Sequence, residues 1–157
     1  MKLGFIGTGN MAGAIIGGII KNRIFRPEEI IGADVSEAGL QRVKDTYGIE
    51  VTDNNRKVAA EAEVLVLSVK PQYYEEVIHS IRDCLRREQI IITIAPGKTL
   101  AWLEEQFDKS VKIVRTMPNT PALVGEGMTA ACANENVTEE EKEYVLKILS
   151  SFGKVEM

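Results

Sequence analysis

Short apolar runs alternate along the chain with longer segments in which apolar residues recur at helical spacing. This alternation is typical of parallel strands joined by helices, and it predicts a doubly wound α/β fold with a mostly parallel sheet. Strands are predicted near residues 2–6, 30–34, 49–51, 63–69, 89–94 and 111–116. Helices are predicted near residues 10–22, 36–46, 55–60, 72–84 and 99–107.

The pattern loosens after Pro118 and then resumes. Residues 128–133 predict a further strand, and Thr138, which is followed by three glutamates, predicts a capped helix that runs to about Ser150. Residues 152–157 have the pattern of one more short strand. With 157 residues, of which 45% are hydrophobic, the chain is expected to form a single domain over 1–157.

A glycine-rich turn follows the first predicted strand, in which Gly7, Gly9 and Ala12 form the pattern Gly-x-Gly-x-x-Ala. Gly7 allows a sharp turn, Gly9 leaves space for a phosphate, and Ala12 lets the next helix pack closely on the sheet. That helix is expected to begin near Asn10 and to aim its free N–H groups at a pyrophosphate. Residues 11–20 carry no charge, and Met11, Ala14, Ile15, Gly18 and Ile19 share one face at helical spacing. The helix is therefore predicted to be buried on most of its surface.

An acidic residue lies where a dinucleotide site needs one. The apolar run from Ile30 to Ala33 ends in Asp34. A carboxylate roughly 20 residues beyond the glycines meets the adenosine ribose in such sites. The residues therefore predict a Rossmann-like domain that binds a dinucleotide. The alternative is a strand–helix–strand unit whose glycines serve only packing, and the position of Asp34 speaks against it.

Composition narrows the range of partners. The net charge is −4, and no basic block is present, which argues against binding to nucleic acid or an anionic membrane and favours a small molecule. No apolar run is long enough to span a bilayer and the first strand begins at once, so a cytoplasmic location is expected. Cys84 and Cys132 are interpreted as packing residues in a reducing compartment. No metal site is predicted.

Lys70 lies at the end of the fourth predicted strand, just before Pro71, which suits the first turn of a helix. From there its ammonium group can reach ribose, phosphate or a substrate carboxylate. A solvated surface lysine is an equally good interpretation.

Asn119 and Thr120 are bracketed by Pro118 and Pro121, which stiffen the loop after the sixth predicted strand. Their amide and hydroxyl groups are suited to orienting a nicotinamide carboxamide or a substrate carboxylate. A purely structural turn is the alternative.

Two further polar positions leave alternatives open. One asparagine in the segment Asp53–Asn55 is predicted either to cap the next helix or to touch the adenosine. His79 is the only histidine and is interpreted as a helix-surface residue rather than a catalyst.

These motifs together resemble the N-terminal domain of the pyrroline-5-carboxylate reductase family. The matching segments occur in the family's order: Gly4–Ala12, Val69–Pro71, Ile94–Leu100, Arg115–Ala122 and Gly127–Thr129. The Met-Pro-Asn-Thr-Pro sequence at 117–121 is the specific one, because many unrelated enzymes share the glycine turn.

The resemblance implies transfer of a hydride from NADH or NADPH to the C=N carbon of pyrroline-5-carboxylate, which gives L-proline. A protonated imine accepts hydride readily, so positioning and water exclusion matter more than a strong protein acid, and no catalytic residue is assigned. By position, the glycine turn would hold the pyrophosphate, residue 34 the ribose, residue 55 the adenine side and residues 95–97 the nicotinamide. The implied cofactor-binding residues are Gly7, Thr8, Gly9, Asn10, Met11, Asp34, Asn55, Val69, Lys70, Pro71, Ala95 and Pro96. The implied nicotinamide or substrate residues are Asn119 and Thr120.

The chain departs from the family at two positions. Asp34 stands where family members often have serine or threonine, and because a carboxylate repels a 2′-phosphate, it favours NADH over NADPH. Pro96 replaces a common small alanine beside the expected nicotinamide.

The family's helical C-terminal domain, which forms homodimers or higher oligomers and supplies most imine-binding residues, is expected to be absent from these 157 residues. Either the chain is part of a longer protein or a partner completes the site. We therefore expect the isolated chain to bind cofactor and to turn over little or no substrate.

Two other functions remain consistent with the sequence. One is another Rossmann-type reductase, such as a beta-hydroxyacid dehydrogenase, although residues 117–121 speak against it. The other is a non-catalytic family member that binds nucleotide for regulation.

Overall fold

The structure is a computed structural model that describes residues 2–118 and 127–156. The strands in these residues are β1 (Leu3–Ile6), β2 (Ile30–Ala33), β3 (Glu50–Thr52), β4 (Val64–Leu67), β5 (Ile90–Thr93), β6 (Lys112–Pro118), β7 (Gly127–Ala133) and β8 (Gly153–Glu156). The α-helices are α1 (Asn10–Lys21), α2 (Glu37–Tyr47), α3 (Asn55–Glu61), α4 (Tyr74–Ile81), α5 (Leu100–Phe107) and α6 (Glu139–Leu149). Asn119 and Thr120 lie outside the described residues.

All eight strands belong to one sheet in the order β3-β2-β1-β4-β5-β6-β7-β8. Neighbouring strands are parallel except β6 and β7, which are antiparallel. The first six strands have the order that is typical of dinucleotide-binding sheets, in which the connections reverse direction between β1 and β4. The predicted doubly wound, mostly parallel fold is confirmed.

Helices cover the sheet on both sides. Every residue of β1, β2, β4 and β5 is buried, as expected of central parallel strands that are covered on both faces. One core contains apolar side chains of α1, α2 and α6, and the other contains those of α3, α4 and α5. Side chains of β1 and β4 belong to both cores, which hold these two central strands in place.

Capping side chains set several helix ends. Ser36 accepts a hydrogen bond from the Gly39 N–H at 3.1 Å and so begins α2. Thr138 caps α6 as predicted, and together with Glu141 it forms a capping box with hydrogen bonds of 3.2 and 3.0 Å. These contacts satisfy backbone groups that a helix end leaves without partners.

The structure corrects three expectations of detail. None of residues 11–20 is exposed, as predicted, but the fully buried positions of α1 are Ala12, Ile15, Ile16 and Ile19, whereas Met11, Ala14 and Gly18 are only half-buried. The single helix predicted for 72–84 is instead α4 flanked by short 3₁₀ turns. Cys84 is half-buried as predicted, but the packing role of Cys132 is wrong: it is exposed, since alternation along β7 buries Ala131 instead.

Candidate functional site

A crevice of about 500 Å³ opens at the carboxyl ends of β1, β2 and β4, where the strand order reverses. Open α/β sheets bind ligands at this topological switch point. It is lined by Ile6, Gly7, Gly9, Ala33, Asp34, Val35, Asn55, Ser68, Val69, Lys70, Tyr73, Glu76, Val77 and Ser80. Six of the twelve residues predicted to bind a cofactor are in this set.

Gly7 makes the turn that leads from β1 into the crevice. Its φ is +101°, and a Cβ at this position would lie 2.7 Å from the Ser68 carbonyl and the Val69 nitrogen. The Ser68 hydroxyl in turn donates to the Gly7 carbonyl at 2.7 Å and lies 3.1 Å from the Ile6 carbonyl. The turn is therefore locked against the end of β4, and only glycine fits there.

Gly9 faces the open space of the crevice. A Cβ here would meet no atom within 4 Å, and the residue has ordinary extended geometry, so nothing in the chain itself requires glycine. The N-terminus of α1 begins at this point without a side-chain cap and without an acidic residue in its first turn. Its uncapped N–H groups and the positive end of the helix dipole suit a phosphate.

Asp34 follows β2 and is held by the glycine turn. Its Oδ2 accepts hydrogen bonds from the Thr8 N–H and hydroxyl at 2.8 and 2.9 Å, and its Oδ1 accepts from the Ser36 N–H at 3.0 Å. Partial burial raises the pKa of Asp34, but these hydrogen bonds outweigh it and hold the pKa below the ordinary value. The carboxylate is therefore ionised at neutral pH and fixed at the crevice, with lone pairs left to accept from hydroxyl groups.

Asn54 and Asn55, at the start of α3, have the two different roles that the sequence left open. Asn54 caps the helix, since its side-chain oxygen accepts from the N–H groups of Arg56 and Lys57 at 3.0 and 3.3 Å. Asn55 is half-buried and lines the crevice. Its amide is available there for a ligand.

Lys70 lies at the rim of the crevice, between β4 and the 3₁₀ turn that begins with Pro71. It is exposed, and no ion pair with another described residue holds its ammonium group. Val69 and Lys70 line the crevice, whereas Pro71 is half-buried outside its lining.

Other predicted residues lie beside the crevice rather than in its wall. Thr8 is fully buried and supports Asp34, Asn10 is exposed, and Met11 is half-buried against the core. Ala95 is buried in the core on the α4 side of the sheet, and Pro96 is exposed after β5.

The structure adds lining residues that the sequence analysis missed. Val35 is 94% exposed and Tyr73 49%, so each offers an apolar surface at the crevice mouth. Glu76 adds a second carboxylate to the lining, and Ser80 a hydroxyl. Val35 had a sequence signal, because it follows Asp34 directly. The other three line the crevice only because the fold places α4 and the turn before it alongside, which no local sequence pattern encodes.

Within residues 2–118 and 127–156, no group of three His, Cys, Asp or Glu side chains is arranged to hold a metal ion. His79 is exposed on α4, where its Nε2 lies 2.8 Å from Gln106 Oε1, away from the crevice. No helix of this described part is long and apolar enough to cross a membrane.

The family described as NADP oxidoreductase, coenzyme F420-dependent, matches residues 2–97. The pyrroline-5-carboxylate reductase of Escherichia coli strain K12 is 37% identical over 156 residues, which are 99% of this chain and 58% of that protein. The chain thus spans somewhat more than half the length of the curated relatives it matches.

Two solved structures are similar over nearly the whole chain. The structure of a pyrroline-5-carboxylate reductase from Coxiella burnetii has a TM-score of 0.94 at 36% identity, covering 98% of this chain and 57% of that one. The Plasmodium falciparum pyrroline carboxylate reductase with NADP bound has a TM-score of 0.88 at 34% identity, covering 99% and 56%. The predicted resemblance to this group of reductases is confirmed.

Proposed function

The chain belongs to the family of NADP oxidoreductases described as coenzyme F420-dependent, and we propose that it is the cofactor-binding part of a pyrroline-5-carboxylate reductase. The family match covers β1 to β5, whereas the similarity to the reductases extends over nearly the whole chain. The proposed reaction is the reduction of 1-pyrroline-5-carboxylate to L-proline, with NADH or NADPH as the reductant.

One observation carries the proposal: Gly9 opens onto the crevice at the N-terminus of α1. Because a Cβ would meet no atom within 4 Å there, its absence leaves room for a ligand. The N–H groups of the first helical turn lie beside this room, and Asp34 stands at the next strand end. A pyrophosphate with an adjoining ribose matches this combination of donors and acceptor.

The described residues act by binding and orienting. The first turn of α1 would hold the pyrophosphate, Asp34 would accept from the ribose hydroxyls, and Asn55 would contact the adenine side. Lys70 would place a positive charge near a phosphate or the substrate carboxylate. Once bound, the cofactor supplies a hydride for the C=N carbon. The chain's contribution is to fix its reacting end, which lowers the entropic part of the barrier.

We propose that the crevice prefers NADH to NADPH. The support is Asp34, which stays ionised because its pKa is lowered, and Glu76, which adds a second carboxylate to the same crevice. Both charges oppose a 2′-phosphate, whereas Asp34 accepts hydrogen bonds from a bare ribose. The Plasmodium relative has NADP bound, so the preference is proposed for this chain from its own residues.

Titration of the chain with NADH and NADPH, followed by nicotinamide fluorescence, tests both proposals. We expect NADH to bind at least about tenfold more tightly. Gly9→Val is expected to abolish binding, because its branched side chain would fill the room for the pyrophosphate. Gly13→Ala is the matched control, since its Cβ would make ordinary contact with the Tyr47 hydroxyl at 3.9 Å. Absence of binding to either nucleotide would overturn the proposed function, and tighter binding of NADPH would overturn only the preference.

We also propose a cellular location and an oligomeric state for the protein. A cytoplasmic location is supported by Cys84 and Cys132, which are both free thiols. A homodimer or higher homo-oligomer is proposed for the full-length protein from the family resemblance alone.

A further inference from the structure

The carboxyl ends of β4 and β5 lie just beside the crevice. The two strands are parallel, and Leu67 is paired in register with Thr93. At the other end of the pair, the Ile90 N–H donates to the Glu63 carbonyl at 3.0 Å. Hydrogen bonds recur every second residue along a parallel ladder. If the ladder continued regularly from Ile90 and Glu63 to the carboxyl ends of the strands, a hydrogen bond would run there from the Ile94 N–H to the Leu67 carbonyl.

A tyrosine hydroxyl occupies the position of that bond. Tyr74, the first residue of α4, is fully buried, and its hydroxyl donates to the Leu67 carbonyl. The same oxygen accepts from the Ile94 N–H at 3.2 Å. Because a carbonyl only accepts and an N–H only donates, these two partners fix the direction of both hydrogen bonds.

Insertion of the hydroxyl widens the gap between the strands. A direct N–H···O contact spans about 2.9 Å, whereas two hydrogen bonds through one oxygen separate the same groups by up to about 5 Å. Beyond this point one chain continues through Val69 and Lys70, which line the crevice, and the other through residues 95–97. The hydroxyl therefore separates two segments that are both expected to contact the cofactor.

We propose that Tyr74 is a positioning residue, whose hydroxyl sets the distance between residues 69–71 and 95–97 and so places the nicotinamide end of the cofactor. The inference rests on the proposed function. Tyr74 is buried and is not part of the crevice lining, so it acts only through the backbone of Leu67 and Ile94.

The chemical state of the phenol suits this role. Burial raises the pKa of Tyr74 above the ordinary tyrosine value, although hydrogen bonds from the backbone of Ile94 and Ala95 act in the opposite direction. The phenol thus keeps its proton at physiological pH and keeps donating to Leu67.

Tyr74→Phe tests the role because it keeps the ring and removes only the hydroxyl. We expect the Leu67 carbonyl and the Ile94 N–H to pair directly, which draws residues 95–97 towards β4. The dissociation constant of NADH should rise about fivefold or more, since hydrogen bonds weaken steeply with misplaced geometry. The dissociation constant of ADP-ribose, which has no nicotinamide, should stay within about twofold.

Tyr47→Phe is the matched control. Tyr47 is a partly buried tyrosine at the end of α2 that packs beside Gly17, away from the fork between β4 and β5. This variant should bind NADH and ADP-ribose as the unaltered chain does. If Tyr74→Phe raised the dissociation constants of NADH and ADP-ribose equally, the variant would be generally loosened and the positioning role would be overturned. No change in either dissociation constant would overturn it as well.

The unaltered chain provides a second measurement, which does not depend on how the variant folds. The amide NMR resonances of Ala95 and Gly97 should shift on addition of NADH and stay unchanged with ADP-ribose. Equal shifts with both ligands, or none, would overturn the inference. If the unaltered chain binds neither ligand, the proposed function itself fails, which is a different and recognisable outcome.

Discussion

Gly7 and Gly9 are glycines for different physical reasons. Gly7 has a positive φ, and a side chain there would collide with backbone atoms of Ser68 and Val69. Gly9 has ordinary geometry and open space around its Cβ direction. Gly7 is therefore required by the fold, whereas Gly9 is explained by the ligand that the crevice is proposed to bind.

Gly7→Ala is expected to lower the free energy of unfolding by about 2 kcal/mol or more, since it combines an unfavourable φ with a clash against backbone that cannot move cheaply. Gly9→Ala should lower this free energy by only about 1 kcal/mol or less, since Gly9 is the N-cap of α1 and alanine is a poorer cap than glycine. Urea unfolding followed by circular dichroism measures both. Equal stability of the two variants would contradict this division between the glycines.

The Asp34 carboxylate makes stability depend on pH. Because its folded-state pKa lies below the ordinary value of 3.8, it stabilises the fold above that pH, and the contribution is lost as pH falls through the folded-state pKa. Asp34→Asn should therefore be less stable than the native chain at neutral pH, with a difference that shrinks below about pH 4. Urea unfolding at a series of pH values measures this difference. If it stays constant down to about pH 2.5, the pKa of Asp34 is not lowered in the folded chain.

At the scale of elements, the start of α3 gives two adjacent asparagines different roles, one structural and one in binding. The helix has only seven residues, and Asn54 satisfies two of its first N–H groups. Asn55, one position later, turns to the crevice. The sequence Asp-Asn-Asn allowed either asparagine to cap the helix or to line the crevice. The residue at which the helix starts decided that Asn54 is the cap and Asn55 lines the crevice.

Asn54→Ala is expected to cost about 1 kcal/mol of stability, the usual value of a lost N-cap, with only a secondary effect on binding. Asn55→Ala should leave thermal unfolding nearly unchanged and weaken NADH binding several-fold, or about 1 kcal/mol, through loss of an amide contact. Thermal melts together with NADH titrations separate the two effects. The reverse pattern would show that Asn55 is the cap in solution.

The element boundaries were largely predictable from local pattern. Strands β1, β2, β4 and β5 lie within two residues of their predicted positions, because fully buried strands are continuous apolar runs. The fully buried positions of α1 were less predictable, since the contact between its Gly17 and the Tyr47 ring of α2 is not visible in the periodicity of one helix.

At the scale of the whole molecule, the sheet order creates the site. The order β2-β1-β4 brings the ends of three strands to one crevice, although they are far apart in sequence. The chain nevertheless spans only 58% of the Escherichia coli reductase. The crevice is proposed to hold the cofactor, with Lys70 at its rim near a phosphate or the substrate carboxylate.

The 157-residue chain is expected to bind NADH and yet form little or no proline from pyrroline-5-carboxylate. The reason is that the residues brought together here fit a dinucleotide, while positioning of the imine and exclusion of water need further groups. Chromatographic detection of proline after incubation with NADH and pyrroline-5-carboxylate measures the activity. Substantial proline formation would refute the expectation that other groups are needed.

The sequence by itself determined the local features of this protein: the alternation of strands and helices, the glycine turn, and Asp34 at the end of β2. These are encoded within a few residues, by period, turn geometry and capping. The tertiary structure alone decided which distant groups meet. It brought Thr8 to Asp34, and it inserted the Tyr74 hydroxyl between Leu67 and Ile94. Such contacts depend on strand order and register, which arise from packing of the whole chain and leave no pattern in any single segment.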